Sequence, residues 1–324
     1  MRFVVYGAGA IGGVVGSRLF QHGHDVVLLA RGPHYEAMRS RGLRIRDPEG
    51  EQVLSIPVFD HPAAVRWGAD DVALIAVKSQ HSSNVLTELA AVAPPTIPVV
   101  CLQNGVSNEP EALRRFANVY GVPVACPTVH LEPGVVQAHS FPVTGILDIG
   151  KFPAGVDDTT RELASAFGAS TFDSRAIGDV ARWKWRKLVL NLGNAVEVVC
   201  GPPARQGPIG ERAMAEGEAC LAAAGIEPAS RDEDRIRRGD LLTWSPVNGR
   251  PRPGGSSWQS LTRGAPDIET DYLNGEIVRL GRMHGFPTPV NELLQRLATH
   301  LSFVGGTPGS TSPGEFEALL SSGQ

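Results

Sequence analysis

Three groups of residues in this 324-residue sequence have the types and spacing that chemistry requires. The first is the run Gly7-Ala8-Gly9-Ala10-Ile11-Gly12, with glycines at the spacing G-x-G-x-x-G. The second is Arg31, which stands alone after an apolar run. The third consists of Lys187, Asn191 and Asn194 within an otherwise apolar stretch. Such groups could hold a phosphate-bearing ligand and stabilise negative charge that develops on a small molecule.

The glycine run lies where a phosphate-binding turn needs it. It follows the apolar residues 3–6 and opens a helical pattern over 10–21. Gly7 can make the tight turn, Gly9 lets the backbone approach a pyrophosphate, and Gly12 lets helix and strand pack closely. We therefore expect all six residues of the run to bind a dinucleotide; the alternative is a glycine-rich turn without a ligand.

Arg31 follows the second predicted strand, at a position where an NAD-dependent enzyme usually carries Asp or Glu. A guanidinium group suits a 2′-phosphate instead, which favours NADP(H) over NAD. Lys78 and Asn104 come just after the next two apolar runs, so both could contact the cofactor. A solvated lysine and a turn-forming Asn104-Gly105 pair are the alternatives.

The stretch 183–200 is apolar around most of a helical circumference, so its polar residues need partners. At about 100° per residue, Asn191 and Asn194 lie within about 40° of the direction of Lys187. The pattern predicts a polar ligand crevice along one face. Alternatively, Lys187 reaches water and the amides cap neighbouring backbone. Glu269 near a later helix start could be only a dipole partner.

The elements that would carry these residues indicate an α/β protein. Short, continuously apolar runs separated by helical patterns predict a parallel sheet covered on both faces. A ribbon of antiparallel strands is expected over 134–150, and a helix over 179–200. We expect an N-terminal Rossmann-type dinucleotide-binding domain at 1–177, an all-helical C-terminal domain at 178–304, and a loosely ordered tail at 305–324.

Composition narrows the class of partner. The formal net charge is −4, which gives no whole-molecule attraction to nucleic acid or to a membrane surface. The spacing of the four cysteines suggests neither zinc binding nor a disulfide framework, and a cytoplasmic setting fits. The histidines form no metal-binding pattern, so no metal is expected. The sequence leaves open whether the chain forms a homodimer.

Because it carries these residues, the sequence resembles the ketopantoate reductase family, also called 2-dehydropantoate 2-reductases. The resemblance covers residues 2–302 and rests on five motifs: VVYGAGAIGG at the start, IAVKSQ around Lys78, the QNG turn at 103–105, WRKLVLN at 185–191, and IETDYLNGEIVRLGRMHGFPTPVN at 268–291.

The resemblance implies roles residue by residue. Lys187 would be the general acid, Asn191 would hold the substrate, and Glu269 would be the carboxylate at the reaction centre. Lys78 and Asn104 would contact NADPH, with Asn104 also near the substrate. The expected reaction is hydride transfer from NADPH to the ketone of a 2-oxo acid, chiefly 2-dehydropantoate to (R)-pantoate in pantothenate biosynthesis.

The sequence also departs from the family pattern. Ala195 stands where the family repeats an asparagine, with Asn194 one position earlier, and the asparagine expected near Gly201-Pro202 is missing. Ser260 stands where an aspartate is common, and either Ser256 or Ser257 matches the substrate serine. Two alternatives follow: a reductase of another 2-oxo acid or biosynthetic ketone, and a non-catalytic NADP-binding sensor.

Overall fold

The structure is a computed structural model that describes residues 1–264 and 268–323. It divides into two compact units. The first consists of Met1–Lys184 and Ser230–Arg252, and the second of Trp185–Ala229 together with the chain from Pro253 onward. The sequence predicts one boundary, at residue 178. The structure instead ends the first unit at Lys184 and returns 230–252 to it, because a buried arginine of that segment pairs with acids of the first unit.

The strands all belong to the first unit. They are β1 (Arg2–Tyr6), β2 (Asp25–Leu29), β3 (Leu43–Asp47), β4 (Gly50–Leu54), β5 (Val58–Phe59), β6 (Asp71–Ile75), β7 (Val99–Cys101), β8 (Val119–Gly121), β9 (Thr128–Val129), β10 (Val135–Ala138), β11 (Gly145–Ile146), β12 (Gly150–Lys151) and β13 (Phe172–Asp173).

Seven of these strands form the main sheet, in the order β12-β8-β7-β6-β1-β2-β5. Every neighbouring pair is parallel except β12 with β8. Alternate side chains of β1 enter different cores: Phe3 and Val5 join one apolar cluster, and Val4 and Tyr6 join the other. Burial on both faces explains why the strands are continuously apolar, and the expected α/β fold with a covered parallel sheet is confirmed.

The prediction of an antiparallel ribbon over 134–150 is wrong. Strand β10 pairs with β3 in parallel and with β9 antiparallel, within a four-stranded sheet of order β4-β3-β10-β9. Strand β11 pairs instead with β13 in a separate two-stranded sheet. The partners that decide these pairings, β3 and β13, lie outside the segment, so its own sequence could not reveal them.

Helices cover the sheet and build the second unit. They are α1 (Ala10–Gln21), α2 (Gly32–Arg41), α3 (Ser82–Ala90), α4 (Asn108–Leu113), α5 (Asp158–Gly168), α6 (Val180–Asn191), α7 (Gly193–Cys200), α8 (Pro208–Ala223), α9 (Arg231–Arg238), α10 (Ser256–Thr262), α11 (Asn274–His284), α12 (Pro289–Val304) and α13 (Pro313–Ser322), with 3₁₀ turns at 62–64, 79–81, 202–206 and 269–272.

The single helix predicted over 179–200 is two helices, α6 and α7, which meet at Leu192. The amide of Leu192 bonds to Val189 three residues back, at 3.2 Å, which tightens the last turn of α6. The side-chain amide of Asn274 donates to the Leu192 carbonyl at 3.2 Å. A polar side chain from a distant element thus bonds to the backbone at the junction.

Residues 305–324, predicted to be a loosely ordered tail, contain helix α13. Ser312 begins it with a capping box, in which its hydroxyl accepts from the amide of Glu315 while the Glu315 carboxylate bonds back. Phe316 is fully buried, and Arg212 of α8 pairs with Glu317 at 2.7 Å. One aromatic anchor and one cap therefore order a segment of polar composition.

Within the described ranges, no helix is long and apolar enough to cross a membrane. No disulfide joins any of the four cysteines, all of which lie within the described ranges. In the same ranges, no three His, Cys, Asp or Glu side chains group as metal ligands.

Candidate functional site

The predicted cofactor residues lie at one edge of the main sheet. Strands β7, β6, β1 and β2 are consecutive neighbours and run parallel. Just past their carboxyl ends come Asn104, Lys78, the glycine turn at 7–12 and Arg31, respectively. Ligands of open α/β sheets bind at this edge. The structure therefore brings together residues that are almost a hundred positions apart in sequence.

The three glycines of the turn differ in their surroundings. Gly7 has a φ of +102°, which disfavours any side chain. A Cβ on Gly12 would lie 2.2 Å from the Gly7 carbonyl oxygen and 2.9 Å from Val5, so this glycine allows helix α1 to pack on β1. Among the described residues, a Cβ on Gly9 would meet only His130, at 4.0 Å. The space above Gly9 is thus open for a ligand, and the turn fits a dinucleotide pyrophosphate.

Arg31 has partners that the sequence did not suggest. Its guanidinium donates to the carboxylate of Glu88 on α3 and, at 3.1 Å, to the hydroxyl of Tyr6 at the end of β1. The Tyr6 hydroxyl also donates to Glu88, and Asn84 donates to the other carboxylate oxygen at 2.8 Å. Half of the Arg31 side chain remains exposed. A carboxylate therefore stands beside Arg31 in space, although none follows β2 in sequence.

Ionisation of this cluster follows from its contacts. Burial and the hydrogen bond to Glu88 raise the pKa of Tyr6 well above its ordinary value, so its hydroxyl keeps its proton. Burial alone would raise the pKa of Glu88, but the Tyr6 hydroxyl and the Arg31 charge outweigh it and lower that pKa. Near neutral pH the cluster therefore holds one carboxylate, one guanidinium and one phenol.

A buried polar network connects the segments of Lys78 and Asn104. The side-chain amide of Asn108 donates to the Asn104 carbonyl at 2.8 Å and to the Ser79 hydroxyl at 3.2 Å. Gln103 donates to the Val77 carbonyl at 2.9 Å. These hydrogen bonds fix the segments of Lys78 and Asn104 relative to each other, so they hold the distance between the two backbones constant.

Lys184 is a buried residue whose role the sequence does not suggest. Its ammonium lies 2.8 Å from the Glu109 carboxylate and donates to the Gln103 carbonyl at 2.6 Å, with side chains only 3% and 1% exposed in the ion pair. A buried charge needs such a partner. Lys184 therefore supports the QNG turn from inside the first unit, next to Asn104.

In the second unit, Lys187 and Asn191 lie one turn apart on α6, as the spacing predicts. Lys187 is half-buried and Asn191 is buried. Asn194 is also buried, but it belongs to α7, beyond the junction at Leu192. The rotation that places all three on one face assumes one continuous helix; the backbone of Leu192 keeps α-helical angles, and the placement of Asn194 on that face stays a prediction.

The loop before the serines is held by Glu197, a buried acid of α7. One of its carboxylate oxygens accepts from the Gly255 amide at 2.7 Å, and the other pairs with Arg205 at 2.9 Å. A Cβ on Gly255 would lie 2.6 Å from the Glu197 carboxylate. This glycine is therefore what lets helix α10, with half-buried Ser256 and buried Ser257, begin beside α7.

Glu269 is buried in the 3₁₀ turn 269–272, ahead of α11. Its neighbour Asp271 is exposed and accepts a 2.8 Å bond from Gln295 of α12. Two asparagines of the same segment have structural partners: Asn274 donates to Asn291 at 2.9 Å, and Asn291 donates to the Ala213 carbonyl at 3.0 Å. These bonds join α11, α12 and α8.

Two family models match the chain. The model for ketopantoate reductase PanE/ApbA matches residues 3–154, and the model for the C-terminal part of ketopantoate reductase PanE/ApbA matches residues 179–302. Together they span most of the sequence, and the two matches cover both the glycine turn and the lysine helix.

Individual proteins agree with these models. The 2-dehydropantoate 2-reductase of Pyrococcus horikoshii is 26% identical, covering 94% of this chain and 99% of its own, and that of Archaeoglobus fulgidus is 28% identical, covering 91% and 96%. A PanE/ApbA family ketopantoate reductase structure from Ralstonia eutropha is 28% identical over 94% and 99%, with a TM-score of 0.79.

A ternary structure of D-mandelate dehydrogenase with NADH and anilino(oxo)acetate shares the fold, with a TM-score of 0.79 at 20% identity over 94% of this chain and 99% of its own. Because both domain models and full-length relatives agree, the chain belongs to the ketopantoate reductase PanE/ApbA family and is an oxidoreductase that uses a nicotinamide dinucleotide.

Proposed function

We propose that this protein is an NADPH-dependent reductase of 2-oxo acids, with 2-dehydropantoate as the foremost substrate and (R)-pantoate as its product. The observation that carries the proposal is the pairing of Lys187 with Asn191, one turn apart on α6, in a chain whose family is known. Four cysteines that form no disulfide within the described ranges fit a reducing, cytoplasmic setting.

In this proposal the first unit binds the cofactor. The turn at 7–12 receives the pyrophosphate over Gly9, and Arg31 binds the 2′-phosphate. Lys78 and Asn104 contact the cofactor from the neighbouring strand ends. When bound, the reduced nicotinamide supplies a hydride to the ketone carbon of the substrate.

The side chains of the second unit act on the substrate. As hydride arrives, the ketone oxygen gains negative charge, and the ammonium of Lys187 donates a proton to it. Asn191 and Asn194 orient the substrate through their amides, Ser256 or Ser257 binds its carboxylate, and Glu269 contributes a second charge at the reaction centre. Donors fixed in advance stabilise the charged transition state more than the neutral ketone, which accelerates the step.

The direct test follows NADPH absorbance with 2-dehydropantoate, comparing wild type with Lys187→Ala and Lys151→Ala. Lys151 is a matched lysine control because it pairs with Asp157 at 3.1 Å and is 39% exposed. Loss of the proton donor should lower kcat by about 100-fold or more while NADPH binding persists. Equal turnover in all three proteins would remove Lys187 from the mechanism.

The cofactor assignment has its own test. Arg31→Ala should weaken the binding of NADPH far more than that of NADH, because only NADPH carries the 2′-phosphate. Titration calorimetry with both dinucleotides measures the difference. Equal weakening of both would refute the phosphate contact.

A second candidate function is reduction of a different 2-oxo acid or of a biosynthetic ketone. The ion pair of buried Glu197 with half-buried Arg205 favours it, because it places two charged side chains in α7 and the following turn, beside the Gly255 loop. Steady-state rates with 2-dehydropantoate and a panel of 2-oxo acids separate the two candidates. A non-catalytic sensor, by contrast, would bind NADPH but would not oxidise it with any of the ketones offered.

A further inference from the structure

Glu88 stands where the ribose end of a dinucleotide is recognised. Tyr6 and Leu29 are register partners at the ends of β1 and β2, and Arg31 follows two residues after Leu29. Helix α3 comes after β6, the other neighbour of β1, and it delivers Glu88 to the Arg31 guanidinium. In doubly wound folds an acid at the end of the second strand accepts hydrogen bonds from the adenosine ribose, and Glu88 lies beside that strand end through its contact with Arg31.

The carboxylate of Glu88 is committed to this position. It accepts from Tyr6, Arg31 and Asn84, and it is only 22% exposed. Since Tyr6 is buried and Asn84 lies one turn before Glu88 on the same helix, the carboxylate cannot swing far from Arg31 without losing these bonds. Its negative charge therefore stays beside any group that the guanidinium binds.

We propose that Glu88 is a specificity-determining residue that reduces the preference for NADPH over NADH, an inference that rests on the proposed function. A 2′-phosphate at Arg31 must displace the carboxylate or lie next to a like charge, and either costs binding free energy. NADH brings a ribose hydroxyl there, which can donate to the carboxylate without that cost. Arg31 thus favours the binding of NADPH, whereas Glu88 favours the binding of NADH.

The test compares Glu88→Gln with wild type and with Glu36→Gln, using calorimetric titration with NADPH and with NADH. Glutamine keeps an acceptor for Tyr6 and removes the charge. Glu36 is the matched control because it lies on α2, close in sequence to Arg31, but pairs with Arg39 at 2.9 Å, both side chains being largely exposed. Thermal unfolding without ligand checks that each variant is folded.

In Glu88→Gln the ratio of the NADH dissociation constant to that of NADPH should rise about tenfold, as expected for removal of one nearby like charge. Glu36→Gln should leave this ratio within about twofold of wild type. An unchanged or smaller ratio in a folded Glu88→Gln protein would overturn the inference.

This failure differs from failure of the proposed function. If Arg31→Ala discriminates between the dinucleotides and Glu88→Gln does not, the role of Glu88 is refuted while the 2′-phosphate contact stands. If Arg31→Ala weakens both dinucleotides equally, the phosphate contact and the role of Glu88 both fall.

Discussion

The two lysines of α6 have different environments. Lys187 is half-buried on the second unit, whereas Lys184 is 3% exposed in the first and bonds to Glu109 and Gln103. Removal of one partner from a buried ion pair leaves the other charge without compensation. Lys184 is thus a structural lysine three positions before the proposed proton donor.

Lys184→Met should lower the free energy of unfolding by about 3–5 kcal/mol, because Glu109 would stay buried without its ion-pair partner. Urea unfolding followed by circular dichroism measures this loss. Adding Glu109→Leu should restore part of it, since the uncompensated charge is then gone. A single variant as stable as wild type would show that water compensates Glu109.

The residues predictable from sequence are those whose chemistry is local. The glycine turn depends on a strand, a turn and a helix within twenty positions, so its spacing is sufficient. The partners of Arg31 and Lys184 are not local: Glu88 lies 57 positions from Arg31, and Gln103 lies 81 from Lys184. Only the sheet order brings these groups together.

Among the elements, α9 contains a buried arginine that anchors it to the first unit. The Arg237 guanidinium binds both oxygens of Asp148 at 2.6 Å and one of Asp173 at 2.5 Å. Burial would lower the pKa of Arg237, but these two carboxylates raise it, so it stays charged. This cluster fixes segment 230–252 to β13 and to the chain before β12.

Arg237→Ala should therefore cost about 3–5 kcal/mol and expose segment 230–252 to proteolysis. Arg235→Ala is the control, because Arg235 lies on the same helix, is 75% exposed and pairs with the exposed Asp232, so its cost should stay below about 1 kcal/mol. Limited trypsin digestion with mass spectrometry locates the cleavage. Equal protection of both variants would contradict the anchoring role.

Helix α5 has a pH-dependent cap. Burial would raise the pKa of Asp157, but the Thr160 amide and hydroxyl, at 2.9 and 2.8 Å, and Lys151 lower it to about 2. A depressed carboxyl pKa contributes stability above its ordinary value near 3.8 and loses it as the pH falls toward 2.

Asp157→Ala should cost about 1 kcal/mol at pH 6, as expected for loss of a helix cap. The difference from wild type should narrow as the pH falls from 4 toward 2, because the wild-type carboxyl then takes up a proton. Urea unfolding at pH 6, 4 and 3 measures the trend. A difference independent of pH would mean that the charge of Asp157 adds nothing.

Most elements were predictable because their patterns are internal. Helix α1 over 10–21 matches the helical pattern that the sequence shows over the same residues. The junction at Leu192 was not predictable from the local sequence, because Asn274 donates a hydrogen bond to the Leu192 carbonyl from another helix. Helix α13 was not predicted, because its order depends on one buried side chain, Phe316, within a polar segment.

For the whole molecule, cofactor binding and stability are linked, because a ligand that binds only the folded state stabilises it. In the glycine turn, substitutions at different positions should affect cofactor binding and stability separately. A side chain at Gly12 would collide with the Gly7 carbonyl and Val5, whereas the nearest described neighbour of a Cβ at Gly9 is His130, at 4.0 Å. Gly12 therefore serves packing, and Gly9 leaves room for the pyrophosphate in our proposal.

NADPH at a hundred times its dissociation constant should stabilise wild type by about 2.7 kcal/mol, seen as a rise in Tm. Gly9→Val should have nearly the wild-type Tm without ligand but lose this rise, because the valine fills the ligand's space. Gly12→Ala should have a lowered Tm even without ligand, since the packing of α1 on β1 must shift. Differential scanning fluorimetry with and without NADPH distinguishes the patterns, and a full NADPH shift in Gly9→Val would exclude the turn as the pyrophosphate site.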